Sequence, residues 1–297
     1  MNTIVALPFD SELASFIGKK GSEGGIAFYN RKIGDDVIVA LMPEPEKFYT
    51  LLQVFTIAEQ ILISTKSVDK NLGEAIVASS LAGKKVLFTN DNDISKILSG
   101  LSIDYEIVDR ASVIEKIIQN GKNKKVENEG QTRVDIDRAF NVKGIGTVLL
   151  GIVTKGKVKA HDSLYHSSGK QVQIRSIQSQ DEDIEEAETG VRVGLAVKGM
   201  EYDEFDKGDI LSNKPIAPTK SISVKVTKSP LVSETIEKGK RYEIGSNFSY
   251  SKATVESVNG DIITLALERA ISLEQGDICL MSRDSTPRTF AKAIVVQ

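Results

Sequence analysis

The sequence predicts an α/β domain with a mostly parallel sheet, followed by two small β-barrels. Three observations carry that reading. Residues 1–120 alternate strand-like apolar runs with helix-like periodic ones, the pattern of βαβ units. From Arg133 onward short Val-, Ile- and Thr-rich runs alternate with Gly, Asp and Asn, with almost no helical period; such spacing marks barrels or sandwiches. The 297-residue length exceeds one compact core and divides naturally into two or three domains.

Thr3 to Leu7 reads as the opening strand, and Asp10 or Ser11 caps a short helix ending at Gly18. Ile26 to Tyr29 and Val37 to Leu41 are strand-like. Phe48, Leu51, Leu52, Phe55 and Ala58 recur at the spacing of an amphipathic helix. Strand Ile61 to Ser64 precedes an Ala-rich helix, Leu72 to Leu81, with Gly83 as its C-cap. Strand Val86 to Thr89, short helix Ile94 to Leu98, strand Ile103 to Val108 and a helix from Ser112 to Gly121 complete the alternation. Gly121 to Gln131 is charged and amide-rich, with Val126 its one large apolar residue, and reads as a linker. Two prolines within Asn213 to Lys220 break the β region into two units. The expected domains are therefore 1–125, 131–214 and 215–297.

Composition narrows the function classes. Lys and Arg number 38 against 41 Asp and Glu, a formal charge of −3, so no global field advertises nucleic acid. By segment the balance is 15 basic to 18 acidic over 1–130, 12 to 14 over 131–214 and 11 to 9 over 215–297. Any RNA contact must come from a local patch; Lys225, Lys228, Lys238, Lys240, Arg241 and Lys252 offer a weak one. A single cysteine, Cys279, excludes an internal disulfide, and two histidines, His161 and His166, are too few for a histidine-rich metal centre. Both histidines read as ordinary residues near a strand–strand loop, and Cys279 as core packing. No signal peptide and no apolar stretch of about 18 residues is visible, so a cytoplasmic location without a membrane span is expected.

An α/β domain followed by barrels is the order of translational GTPases, which makes phosphate handling the decisive test. A P-loop needs Gly-x-x-x-x-Gly-Lys-Ser/Thr straight after a strand; the chain reads PFDSELASFIGKKGS there. Gly151 to Val158 comes near, but Val158 replaces the hydroxyl and the context is strand–turn–strand. No Asp-x-x-Gly occurs anywhere, so the residue that senses the γ-phosphate is missing. After VLFT, Asn90 and Asp93 hold the spacing of a guanine-binding Asn-Lys-x-Asp motif, with Asp91 in the lysine's place. A turn rich in Asn and Asp also serves as a plain strand-to-helix loop.

The segment IDRAFNVKGIGTVLLGIVTKGKVKAHDSL, with VQIRSIQSQDEDIEEAETGVRVGLAVKGMEYDEFDKGDIL, resembles the second domain of the elongation factor Tu superfamily, and most of all its selenocysteine-specific branch, SelB. The resemblance covers Arg133 to Leu211, including Gly144, Gly146, Gly151, Gly156, Gly190, Gly194, Gly199 and Gly208. Alongside it, the front of the chain resembles a degenerate P-loop GTPase-like domain. In VALMPEPEKFYTLLQVFTIAEQILI, Leu41, Glu44 and Pro45 replace the Asp, Gly and His of the family's Asp-x-Pro-Gly-His, and Pro43 alone is kept.

The resemblance implies a SelB-like pseudo-GTPase of the kind found in methanogenic archaea, acting in translation. In the family the second domain clasps the aminoacylated 3′ end of tRNA. By position, Asp137, Arg138, Phe140, Gln178 and Arg192 fall in that aminoacyl-tRNA-binding pocket. An acid with two arginines suits a polar or ionised aminoacyl group, and Phe140 is placed to stack on a terminal adenine. Without the resemblance, Asp137 and Arg138 read as a surface ion pair and Phe140 as core. The expected partners are tRNA or the ribosome, not DNA and not a membrane. No catalytic residue, metal or cofactor is expected. GTP and Mg²⁺ enter only on the alternative of an unorthodox phosphate site built from the Asp10 region with Asn90 and Asp93. A regulatory or scaffold pseudo-GTPase is the remaining alternative. The acidic run Asp181 to Glu188 reads as a solvated loop. Preferred amino acid and oligomeric state stay open. The chain ends just after the second barrel, so the extra C-terminal domain of SelB proteins is expected to be missing.

Overall fold

A computed structural model describes residues 1–21, 24–122 and 130–296, so most of the expected linker, 121–131, lies outside the described residues. Strands β1 (Asn2–Ala6), β2 (Lys19–Lys20), β3 (Ile26–Ile33), β4 (Asp36–Pro43), β5 (Gln60–Ile63), β6 (Lys85–Thr89) and β7 (Tyr105–Val108) form one sheet in the order β2-β3-β4-β1-β5-β6-β7. β4, β1, β5, β6 and β7 run parallel, while β3 joins β4 as an antiparallel hairpin. The parallel strands are apolar throughout because both faces are covered: Ile4, Val5 and Ala6 are wholly buried. Helices α1 (Ser11–Ile17), α2 (Tyr49–Ile57), α3 (Lys70–Ala82), α4 (Ser95–Leu98) and α5 (Val113–Lys122) connect them. Leu13, Ala14 and Ile17 of α1 and Val113 and Ile117 of α5 share one core with Val5, Leu62 and Leu87. Gly83 ends α3 in the left-handed region, φ 66°.

α2 departs from the expected amphipathic pattern: every residue from Thr50 to Ile57 is buried, Gln53 included. A helix buried on all sides needs partners for its polar groups, and the C-terminal barrel supplies two of them. That barrel is closed and is formed by the last strands of the chain. They follow nine strands of the middle unit. These nine are β8 (Arg133–Val142), β9 (Gly146–Lys155), β10 (Lys157–Lys159), β11 (Ser163–His166), β12 (Gln171–Ser179), β13 (Glu182–Ile184), β14 (Glu186–Glu188), β15 (Arg192–Lys198) and β16 (Ile210–Ser212). The C-terminal strands are β17 (Thr219–Lys228), β18 (Arg241–Ser246), β19 (Ser249–Asn259), β20 (Ile262–Ile271), β21 (Ile278–Ser282) and β22 (Thr289–Val295). Gln53 Nε2 donates to Phe248 O at 2.6 Å, and Asn247 N donates to Thr56 Oγ1 at 2.7 Å. Gly245 passes so close to α2 that a Cβ there would lie 2.8 Å from Leu52 Cβ. Cys279 is fully buried and unbridged in this barrel.

Contacts group the chain into two compact units. Met1–Asn123, Ser221–Arg269 and Gln275–Gln297 make one; Lys124–Lys220 with Ala270–Glu274 make the other. The α/β sheet and the C-terminal barrel thus belong to a single body. The second unit is built on a six-strand barrel, β11-β16-β8-β9-β15-β12, closed by the β11–β12 pair, with β13 hydrogen-bonded to β12 and β10–β14 as a separate ribbon. Val134, Ile136, Leu149, Val153, Leu195 and Leu211 are among the side chains that fill its interior. Among the described residues no helix is long and apolar enough to cross a membrane.

Candidate ligand site on the middle barrel

A bulge in β8 creates the site. Ile136 pairs with Gly151 and Arg138 with Leu150, which leaves Asp137 as the extra residue. The insertion shifts the alternation: Ile136 fills the core and Ala139 packs against it, so Arg138 and Phe140 turn outward. Neither is core; Arg138 is exposed and Phe140 half-buried. Across the sheet Arg138 pairs with Leu150, Leu150 with Gly194 and Gly194 with Gln178. The four residues form one cross-strand row over β8, β9, β15 and β12. Gly194 has no side chain, so the middle of that row is a shallow gap between Leu150 and Gln178. Arg192 lies two residues along β15, beside Ile152 and, beyond it, Asp135. All five residues expected from the sequence therefore share one region of the outer face.

Electrostatics tie three of them together. Burial pulls the half-buried Arg192 guanidinium down from the usual arginine range to about 10; Asp137 opposes that shift and Arg138 adds to it. At neutral pH Arg192 remains charged, beside a second guanidinium. Asp137 has a cation from another element beside it: its carboxylate, 4% exposed, accepts from Lys207 Nζ at 2.9 Å. Lys207 is the group sequence reasoning missed, because a lysine in the turn Asp206-Lys207-Gly208-Asp209 reads as solvated. Gln178 Nε2 donates to Asp183 Oδ1 at 2.8 Å, so part of the acidic run belongs to the site's edge. The run itself is not all loop, since it supplies β13 and β14. His166 also differs from the expectation: it lies in β11, buried, with Nε2 2.9 Å from Asp209 Oδ2.

The front domain was the other candidate. Asp10 caps α1, its Oδ1 accepting from Leu13 N at 2.7 Å. Burial alone would raise the Asp10 carboxyl; the Ser64 hydroxyl, the Leu13 amide and Arg110 outweigh it and hold the carboxyl below the usual aspartate range. A cavity of about 320 Å³ opens here, lined by Asp10, Glu12 and Asp69 among others, with Lys66 as the one cation among the described lining residues. Lys66 Nζ is paired with Glu12 at 2.6 Å. Asn90 and Asp93 have separate partners. Asn90 Nδ2 approaches Asp109 Oδ2 at 3.5 Å, whereas Asp93 Oδ1 accepts from Ser95 N at 2.9 Å at the start of α4. Asp91 accepts from Thr89 Oγ1, and Asn92 Nδ2 donates to Thr65 O at 2.8 Å, so the turn is satisfied internally. In the C-terminal barrel, Lys225 pairs with Asp261 and Lys240 with Glu234, which weakens the expected basic patch.

Comparisons with known proteins bear on the family and the fold. Residues 146–212 match the family description "Elongation factor Tu domain 2". An uncharacterized protein of Methanocaldococcus jannaschii is 34% identical over 280 residues, 89% of this chain and 90% of that protein. The selenocysteine-specific elongation factor of Haemophilus influenzae is 25% identical over 74% of this chain, which spans only 36% of that factor. The same-named factor of M. jannaschii is 33% identical over 47% of this chain and 27% of its own length. Elongation factor SelB of Methanococcus maripaludis in its apo form superposes with a TM-score of 0.80 at 18% identity, covering 100% of this chain and 80% of that one. The chain is an elongation factor Tu/SelB-like protein, with a P-loop-like front domain followed by two barrels. Within that class it belongs to the family of the M. jannaschii protein with which it shares most of its length.

Proposed function

We propose that this protein is a translation factor-like module that holds the aminoacylated acceptor end of a tRNA, or the ribosomal site for one, without hydrolysing nucleotide. The observation that carries the reading is Arg192, half-buried beside both Asp137 and Arg138 on a face where Gly194 leaves room for a small group. Paired guanidiniums bind an anionic or strongly polar group in fixed geometry, and Phe140 on the same strand offers a stacking surface. The names of the relatives, selenocysteine-specific elongation factors, support the same class of ligand for this chain.

A triphosphate does not fit the front domain's groups. A P-loop offers a ring of free amides, but here the Asp10 carboxylate takes one of them and Glu12 and Asp69 line the remaining space. Fluorescent GTP with Mg²⁺ should show no micromolar binding to the full chain; micromolar, Mg²⁺-dependent affinity would favour the GTP-binding alternative. The acceptor-end reading is tested by gel shift with charged and uncharged tRNA at low salt. Arg192→Ala and Arg138→Ala should each weaken binding of charged tRNA by roughly 1–3 kcal/mol. Unchanged affinity in both variants would leave the guanidiniums a structural role, and failure of both tRNA forms to bind would end the proposal.

A further inference from the structure

Strand β7 is an edge of the front sheet and pairs with β6. Val86 N donates to Asp104 O at 2.9 Å, and Val86 stands opposite Tyr105. In a parallel ladder that phase points the N–H and C=O of Glu106 at β6 and aims those of Tyr105 and Ile107 away from the sheet. Among the described residues none of these four outward groups has a hydrogen-bond partner. The side chains alternate as well. Val108 packs into the core with α1 and α5, and Glu106 meets Lys116 of α5 at 2.6 Å. Tyr105 and Ile107 therefore lie on the opposite face, 42% and 57% exposed. The Tyr105 ring is held edge-on against Phe88, 5.8 Å between centroids. An edge with open peptide groups, two exposed apolar side chains and neither proline nor bulge is a template for another strand.

We propose that the occupant of this edge is β7 of a second copy, laid antiparallel across a twofold axis at Glu106. A twofold axis pairs a strand edge with itself, and outward residues must oppose outward residues to exchange bonds. Centred on Glu106, Tyr105 of each copy lies opposite Ile107 of the other. That register makes four N–H···O=C bonds and sets each aromatic ring against a β-branched neighbour. Centring on Tyr105 instead sets Asp104 opposite Glu106, two like charges. Centring on Ile107 sets Tyr105 opposite Asp109, which lies beyond the strand and accepts from Ala111 N at 2.8 Å. Charge fits the first register too. Glu106 lies 3.1 Å from Lys85 and 2.6 Å from Lys116, and Asp104 lies 2.8 Å from Lys85. Two acids and two bases from each copy leave the axis neutral, so the facing Glu106 carboxylates are already compensated. A strand this short makes a small interface, of the weak and concentration-dependent class.

Sedimentation velocity of the full chain from roughly 10 to 500 μM reads the association, with a dissociation constant expected on the order of 100 μM. Ile107→Pro is the sharpest variant. The N–H it removes points away from β6, so the sheet keeps its ladder while the dimer loses two bonds. That variant and Ile107→Lys should each weaken association by roughly tenfold or more while keeping the circular dichroism of the wild type. Ile107→Lys changes an exposed side chain only, and serves where the proline disturbs the strand. Disulfide trapping reads the register. Cys279 is the single cysteine and is fully buried, so Glu106→Cys adds one accessible thiol at the axis. Facing Cα atoms there come within about 4.5 Å, inside disulfide reach. Mild oxidation should turn Glu106→Cys into a covalent dimer and leave Lys252→Cys, exposed in the C-terminal barrel, monomeric. A wild type that stays monomeric over the whole range overturns the proposal and leaves the edge to a strand of another protein. A dimer that both Ile107 variants preserve forms through another face and overturns it equally. A dimer lost in those variants but never trapped at position 106 overturns the axis at Glu106.

Discussion

Phe248→Ala is expected to cost about 3–5 kcal/mol and to lower the unfolding of the α/β sheet and the C-terminal barrel together. Phe248 is 1% exposed at the β18–β19 turn, its ring centroid 6.3 Å from that of Phe28 in β3. One side chain thus fills space between the sheet's hairpin and the barrel. Around it the joint is polar and specific. Tyr49 stacks on Tyr250 with centroids 4.2 Å apart, the Arg288 guanidinium lies 3.9 Å over the Phe48 ring, and Arg288 N donates to the Glu74 carboxylate at 2.8 Å. The Gln53 bond reaches the Phe248 carbonyl, so an alanine leaves it in place while opening a cavity beside it. Hydrogen exchange during urea unfolding, read on β1 and on β22, checks the outcome. Amides of both elements should lose protection at the same, lowered denaturant concentration. A β22 transition that moves while β1 stays put would show two independent bodies and refute the argument.

The same joint explains why sequence reasoning stopped short at α2. Phe48, Leu51, Leu52, Phe55 and Ala58 made a clear apolar stripe, and the helix is there. Gln53 and Thr56 fall outside that stripe, because a helical period reports one buried face and is silent on a second. Their partners, Phe248 and Asn247, lie nearly two hundred residues away in sequence. The expected strands of the sheet were legible for the opposite reason: buried parallel strands are runs of Ile, Val, Leu and Ala, and little else produces such runs. In the middle barrel the five candidate positions came from a resemblance in sequence. The fact that brings them onto one face, the Asp137 bulge, leaves no mark in composition or periodicity. Lys207 escaped notice for the same cause, since only the folded turn brings it to the bulge.

Arg133 gives the second large effect, and it bears on whether the candidate ligand face is rigid. Arg133, 1% exposed, is the largest fully buried side chain among the described residues. Its Nε and Nη2 each donate to the Asp135 carboxylate at 3.0 Å, and Thr154 Oγ1 donates to the same group. Glu274 extends the network, 3.5 Å from Arg133 Nη1 and 2.8 Å from Lys155 Nζ. Desolvating these ions is costly, so the pair is not a source of net stability by itself; the damage comes from separating it. Arg133→Met is accordingly expected to destabilise the middle barrel by about 3–5 kcal/mol, because Asp135, fully buried, loses its bidentate partner. Arg133→Met with Asp135→Leu should recover to within about 1 kcal/mol of wild type, the apolar pair replacing the ionic one. Denaturant midpoints of the three proteins decide it, and a single variant losing under about 1 kcal/mol would show that water reaches Asp135. Asp135, Ile152 and Arg192 are cross-strand neighbours, so the ligand face tests the same chain of contacts. If β8 and β15 are held in register through that row, affinity for the acceptor end should fall in the single variant and return in the double, in step with stability.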